Sequence, residues 1–296
     1  MNKRTLAILA AIGATVIYGV NHTVAKGVMP IHVKPFGFIF LRVGGAAILF
    51  WLISFFGPKQ KIDKKDWGRL LVCALLGMSI NMLSFFKGLQ LSTPINSAVL
   101  VTMVPIITVM VSALFLKEKI TLNKGFGIFL GFVGAVGLIL FGAETQKNAP
   151  NIPLGNFLFI INALSYGSYL VVVKKLIEKY HPFTLMKWLF TIAILVNLPI
   201  TLPQVMETEF SSIPLWAYGS IAFVVIGTTF LTYLFNIFAL TQLKASSVGA
   251  FVYMQPLVGI LFALFSGKDN LTLVKITAMC FVLVGVYLAS KKPKKK

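Results

Sequence analysis

Ten predominantly apolar runs, at 5–25, 36–56, 67–88, 94–116, 123–141, 154–173, 183–202, 215–240, 245–266 and 273–290, leave little of the 296-residue chain outside them. About 20 apolar residues suffice to cross the hydrocarbon core of a bilayer as a helix. Inside that core every backbone N–H and C=O must be bonded within the protein, so only helices or closed barrels cross it. Barrel strands would read as alternating segments of about ten residues, and no such pattern occurs. The expected fold class is therefore an all-α integral membrane protein with ten transmembrane helices. Charged residues make up only 12% of the chain, too few to cover a soluble surface. Its 26 Phe, 8 Tyr and 4 Trp argue against disorder.

The eight acidic residues, Asp63, Asp66, Glu118, Glu144, Glu178, Glu207, Glu209 and Asp269, all fall between the runs or at their edges. With both termini in the cytoplasm, 19 Lys and Arg residues collect on the inner side and 6 on the outer, while Arg42 and Lys187 lie within runs. That asymmetry sets the orientation by the positive-inside rule, and the expected location is the cell inner (plasma) membrane, multi-pass. The net charge of +19 raises nucleic acid as a partner, but the basic residues are scattered in short clusters between apolar runs and form no continuous face. We expect a lipid bilayer and no nucleic acid. The lysines from Lys291 onward read as a solvated stop-transfer anchor. Residues 1–25 imitate a signal peptide, yet the run is long enough to span and others follow, so it reads as a retained first span. Cys73 and Cys280 sit in apolar surroundings, where a thiol behaves as a small hydrophobe. No metal site and no cofactor is expected.

The chain repeats itself. A shift of 151 places Pro105, Lys117, Thr121, Leu122, Lys124 and Gly134 on Pro256, Lys268, Thr272, Leu273, Lys275 and Gly285, with Glu118 landing on Asp269. A shift of 148 places Tyr18, Gly19, Val24 and Lys26 on Tyr166, Gly167, Val172 and Lys174. The domains are thus 1–145 and 146–296, each a five-helix repeat. Five is odd, so the second repeat enters the membrane upside down relative to the first, the inverted topology suited to alternating access.

Particular residues also resemble a known family. Gly88-Leu89 through Pro94, then Pro105, the stretch Leu114-Phe115-Leu116-Lys117-Glu118-Lys119-Ile120-Thr121, and Gly125, Gly131, Gly134 and Gly137 resemble the closing three-helix signature of the EamA domain. Tyr18-Gly19 and Arg42 look like its aromatic-Gly and Arg positions. Read as two such domains, the chain resembles a ten-helix member of the drug/metabolite transporter superfamily. That resemblance implies movement of small metabolites, often amino acids or related compounds, usually outward in bacteria.

Polar side chains in the bilayer are costly and usually face the bundle interior or a wet cavity. Helical spacing groups Thr15, Tyr18 and His22; Asn81, Ser84, Phe85 and Gly88; Asn162, Tyr166 and Tyr169; Thr229, Tyr233 and Asn236; and Gly249, Tyr253 and Pro256. One reading makes these stripes the wall of a central cavity built from the first, third, fourth, sixth, eighth and ninth runs. The other makes them hydrogen-bonding glue between helices. The candidates for solute contact are Asn21, His22, Asn81, Phe85, Asn96, Tyr166, Tyr169, Tyr233, Asn236, Tyr253 and Gln255. His22 titrates near neutrality and could relay protons, or it could be a neutral hydrogen-bonding histidine. Lys87 and Lys187 have stems long enough to snorkel. Arg42 could hold a carboxylate or phosphate, or lock helices together.

Pro105 and Pro256 each remove a helical hydrogen bond and are hinge candidates. Gly127, Gly131 and Gly134 share a face suited to close packing, within the chain or with a second copy, so a homodimer is one expected partner arrangement. No phosphate-binding loop, H-E-x-x-H or G-x-S-x-G occurs, and we expect no enzyme. No acid lies mid-run, which ranks proton-coupled drug or cation export below transport of neutral or zwitterionic metabolites. The alternatives to a metabolite exporter are that coupled exporter and a non-transporting receptor or scaffold.

Overall fold

The computed structural model describes residues 2–117, 120–141, 149–243, 251 and 254–290. Every element among them is helical. In chain order they are α1 (Lys3–Val28), α2 (Pro35–Ser54), α3 (Trp67–Ala74), a π-helical segment π1 (Leu75–Ile80), α4 (Asn81–Leu91), α5 (Pro94–Val101), α6 (Val104–Leu116), α7 (Leu122–Phe141), α8 (Ile152–Ile177), α9 (Pro182–Met206), α10 (Leu215–Ala222), a second π segment π2 (Phe223–Leu231), α11 (Thr232–Gln242), α12 (Gln255–Phe265) and α13 (Leu273–Ser290). Eight helical stretches are long and apolar enough to cross a membrane, and α12 and most of α13 are shorter apolar helices. The chain is an α-helical, multi-pass membrane protein.

The helix starts have local causes. Thr93 caps α5 by accepting from Asn96 N–H at 3.3 Å, Asn151 caps α8 by accepting from Leu154 N–H at 3.1 Å, and each helix carries Pro in its first turn, where a missing N–H costs nothing. His181 does the same for α9, its Nδ1 accepting from Phe183 N–H. At the other ends, α6 stops on Lys117 in the left-handed region (φ 54°), and the chain after α12 turns at Gly267 (φ 61°). Only glycine adopts that conformation without steric strain.

The helices gather into two compact units. One combines Met1–Lys61 with His181–Asn270, the other Ile62–Tyr180 with Leu271–Lys296. In the first, α1 packs on α11 and α12, and α2 on α9 and π2. In the second, α8 packs on α4, α5 and α6, and α7 on α13. Each unit draws on both halves of the sequence.

Glycine makes the closest approaches. In the first unit a Cβ on Gly19 would stand 2.8 Å from Val258 and 2.9 Å from the Gln255 carbonyl. In the second a Cβ on Gly167 would stand 2.9 Å from Ile107. The sequence shifts carry Gly19 to Gly167 and Ile107 to Val258, so the same contact is built twice. The α7–α13 contact repeats within itself: a Cβ on Gly134 would meet the Ala278 carbonyl at 2.8 Å, and one on Gly285 the Gly127 carbonyl at 2.6 Å. The 151-residue shift exchanges these two pairs. The face of Gly127, Gly131 and Gly134 is thereby filled by α13 of the same chain.

Candidate functional site

Two irregularities recur at equivalent places. The run from Pro94 breaks at Thr102–Met103, where Thr102 N–H and Met103 N–H bond back three residues to Val99 and Leu100, and Pro105 sits in the first turn of α6. Its counterpart Pro256 sits in the first turn of α12, after Met254 N–H bonds to Phe251. Each proline therefore starts a helical segment, which is where proline is tolerated best. The runs containing α3–α4 and α10–α11 each pass through a π segment, and both segments begin at positions related by the 148-residue shift, Leu75 and Phe223. Such widened turns change which residues share a face and often mark functional regions.

In the first unit π2 gathers hydroxyls. Thr229 Oγ donates to the Val224 carbonyl five residues back at 3.1 Å and accepts from Arg42 Nε at 2.9 Å. Thr228 Oγ donates to Asn21 Oδ1 at 3.2 Å, and Thr232 Oγ donates to the Thr228 carbonyl at 2.6 Å. Asn21 and His22 are buried on α1. Tyr233 meets Phe50 edge-on at 5.9 Å, in a ring cluster with Phe190 at 5.3 Å and Phe230 at 5.5 Å from Phe50. Asn236 and Gln255 are half-buried. Tyr253 and Gly249 lie outside the described residues. Arg42 does join α2 to π2, and Lys187 Nζ rests 4.5 Å over the Trp51 ring, a cation–π contact.

In the second unit several candidates bind helix to helix. Asn81 Nδ2 donates to the Asn162 carbonyl at 3.4 Å while Asn162 Nδ2 donates to the Asn81 carbonyl at 2.9 Å, a reciprocal clamp between α4 and α8. Ser165 Oγ donates to the Leu76 carbonyl within π1, and the Tyr169 ring fills the space beside Gly77. Tyr166 and Tyr169 lie ring to ring at 5.5 Å, and Phe85 packs on Phe86 and Phe159. Asn96 is fully buried: its Nδ2 donates to Asn156 Oδ1 at 3.2 Å and more weakly to Ser92 Oγ, and its Oδ1 has no hydrogen-bond partner among the described residues. Lys87 Nζ donates to Gln90 Oε1 at 2.8 Å. Beyond the helix ends, Lys179 bonds Asp63 and Asp66, and Tyr180 donates to Asp66 at 2.7 Å. The hydrogen bonds to Asp63 and Asp66 hold the Lys179 ammonium above the ordinary lysine range.

The EamA-like transporter family model matches residues 5–140 and again 153–291. The chain belongs to the EamA-like transporter family. Among its relatives, the uncharacterized transporter YyaM of Bacillus subtilis is 24% identical over 251 residues, covering 84% of this chain and 82% of that protein. An uncharacterized transporter of Archaeoglobus fulgidus is 27% identical over 259 residues, covering 88% and 90%. A solved structure described only as the crystal structure of a protein matches with a TM-score of 0.61 at 17% identity and 96% coverage of each chain. That likeness concerns the fold.

In this EamA-like chain, the polar residues that periodic reasoning missed are Thr228, Thr232, Ser92 and Asn156. Thr228 lies within π2, where the 3.6-residue spacing used to group Thr229, Tyr233 and Asn236 does not hold, and Thr232 opens α11 directly after it. The others sit at helix ends, where a polar residue reads as a cap. Asn197, fully buried in α9 with no hydrogen-bond partner on either amide atom among the described residues, carried no periodic signal at all.

Proposed function

We propose that the protein moves small metabolites, such as amino acids or related compounds, outward across the inner membrane by alternating access. In this reading the chain has ten spans arranged as two inverted five-helix repeats, 1–145 and 146–296, with both termini in the cytoplasm. The observation that carries it is the doubling of local features: a helical segment that begins just before Pro105 and one that begins just before Pro256, and a π segment at Leu75 and at Phe223. Discontinuous helices at equivalent places in two repeats are the arrangement by which transporters form a site and gate it from either side.

Loop pairing supports the assigned topology. Lys34 bonds Glu207 at 2.5 Å, and both positions fall on the expected outer side. Lys179 bonds Asp63 and Asp66, all on the expected inner side. Within the first unit we assign Asn21, His22, Tyr233 and Asn236 to solute contact; within the second, taken by itself, the candidates are Tyr166 and Tyr169. Asn81, Asn96 and Phe85 we assign to shaping the surrounding wall, because their amides and ring are engaged with neighbouring helices.

The test is flux into proteoliposomes of labelled amino acids, sugars, nucleosides and organic cations, with and without an imposed pH gradient. The reading predicts flux of amino acids or similar metabolites without the gradient. Flux only of organic cations, and only with the gradient, would replace it by coupled drug export. No flux of any compound would leave a receptor or scaffold.

A further inference from the structure

We propose that the second unit binds the headgroup of an anionic phospholipid where the chain before α3 is tied to the end of α8. Such binding requires the membrane-spanning fold alone and no solute flux. The tie is made by polar side chains. Lys179 bonds Asp63 and Asp66, while the Tyr180 hydroxyl accepts from Asp63 N–H at 3.0 Å and donates to Asp66 at 2.7 Å. The single helical turn Lys64–Asp66 is thereby fixed against the end of α8. The same bonds occupy acids. Among the described residues of this unit the carboxylates are Asp63, Asp66 and Glu178, and Lys179 holds the first two.

The neighbouring cations are left facing outward. Lys64 and Lys65 lie in the tied turn and Lys174 and Lys175 in the last turn of α8; all four are exposed, and none forms a hydrogen bond or ion pair among the described residues. Lys174 shares a helix face with Leu170 four residues before it and Ile177 three residues after it, both exposed. Leu71 and Val72, also exposed, follow the turn on α3, which packs on α8. Lysine stems lie along apolar surface and carry the ammonium to the level of the lipid phosphates. Clusters of four or more cations at the ends of spans attract anionic lipid. Here the charge complements a negative headgroup while the apolar side chains beside it suit the acyl tails. A free anion would meet the charge and leave the apolar stripes unused.

The experiment reads Trp67, which is 37% exposed at the start of α3 directly after the tied turn. With Trp51→Phe, Trp188→Phe and Trp216→Phe combined, its fluorescence is measured in phosphatidylcholine vesicles doped equally with spin-labelled phosphatidylglycerol or spin-labelled phosphatidylcholine. Phosphatidylglycerol is expected to quench as though enriched about fivefold or more around Trp67 at low ionic strength. That enrichment should shrink in about 1 M salt, where charges are screened within about 3 Å. Combining Lys64→Gln, Lys65→Gln, Lys174→Gln and Lys175→Gln is expected to erase it. Neutralising Lys292, Lys294, Lys295 and Lys296 to Gln removes the same charge and is expected to leave it in place. Equal quenching by the two lipids, enrichment that survives the first set of four, or enrichment lost equally with the second set would each overturn the inference. So would displacement of the lipid by inorganic phosphate at constant ionic strength, which would mark a site for free anions. Should the variant with a single Trp not fold, native mass spectrometry of the unaltered chain, comparing retained phosphatidylglycerol with phosphatidylcholine, decides in the same way. None of these outcomes bears on solute flux, so the transporter reading is tested separately.

Discussion

Lys179 shows how much a single side chain organises outside the membrane. It draws Asp63 and Asp66, which precede α3, against the end of α8, and Tyr180 completes the contact through its hydroxyl. Its raised pKa means the ammonium is bound more tightly in the folded state than in the unfolded one. The stabilisation is then fully present below the ordinary lysine value of 10.5 and is lost only as pH rises through the higher folded value. We predict that Lys179→Met lowers the thermal midpoint in detergent by the same amount at neutral pH and at pH 10.5; a difference that collapses at pH 10.5 would contradict the assignment. Packing residues allow a sharper contrast. Gly19→Val must displace Val258 and the Gln255 backbone, whereas an added Cβ on Gly137 would meet nothing within 4 Å among the described residues. Gly19→Val should destabilise by about 1–3 kcal/mol, and Gly137→Ala should stay within about 0.5 kcal/mol, both read from denaturation in detergent.

At the scale of elements, apolar runs located the helices because a bilayer demands continuous apolar length, and the boundaries at Pro35, Pro94 and Pro182 could be read from proline chemistry. Interruptions within the runs were less legible. Pro105 and Pro256 announced a disturbance within a helix, but each ring is accommodated in the first turn of a helical segment. The π segments left no periodic trace, because one widened turn only shifts the later pattern by one position. Thr228, inside π2, accordingly fell outside the periodic grouping that held Thr229. The breaks yield a prediction. Pro105→Ala restores the N–H needed to run α5 into α6 as one helix, so thermal stability should hold or rise while flux falls severalfold. Unchanged flux would show that this break is a static feature and no hinge.

At the scale of the whole molecule, a fixed shift carries Pro, Lys and Gly positions of the sequence together, but it does not say which helices pack together. The two compact units mix elements from both halves, and the glycine face of α7 meets α13, a pairing that sequence spacing left open between this chain and a second copy. Of the candidate side chains, Asn21 and Tyr233 lie among the hydroxyls and rings of the first unit, while Asn81 and Asn96 are engaged in bonds between helices. Alternating access is the claim on which the functional account stands. Its most direct test is the two-sided accessibility of one position: Asn236→Cys in a background with Cys73 and Cys280 replaced, treated with a membrane-impermeant maleimide in right-side-out and in inverted vesicles. The account predicts labelling from both sides, with transported solute changing the balance between them. Labelling from one side alone, unaffected by any solute, would contradict it.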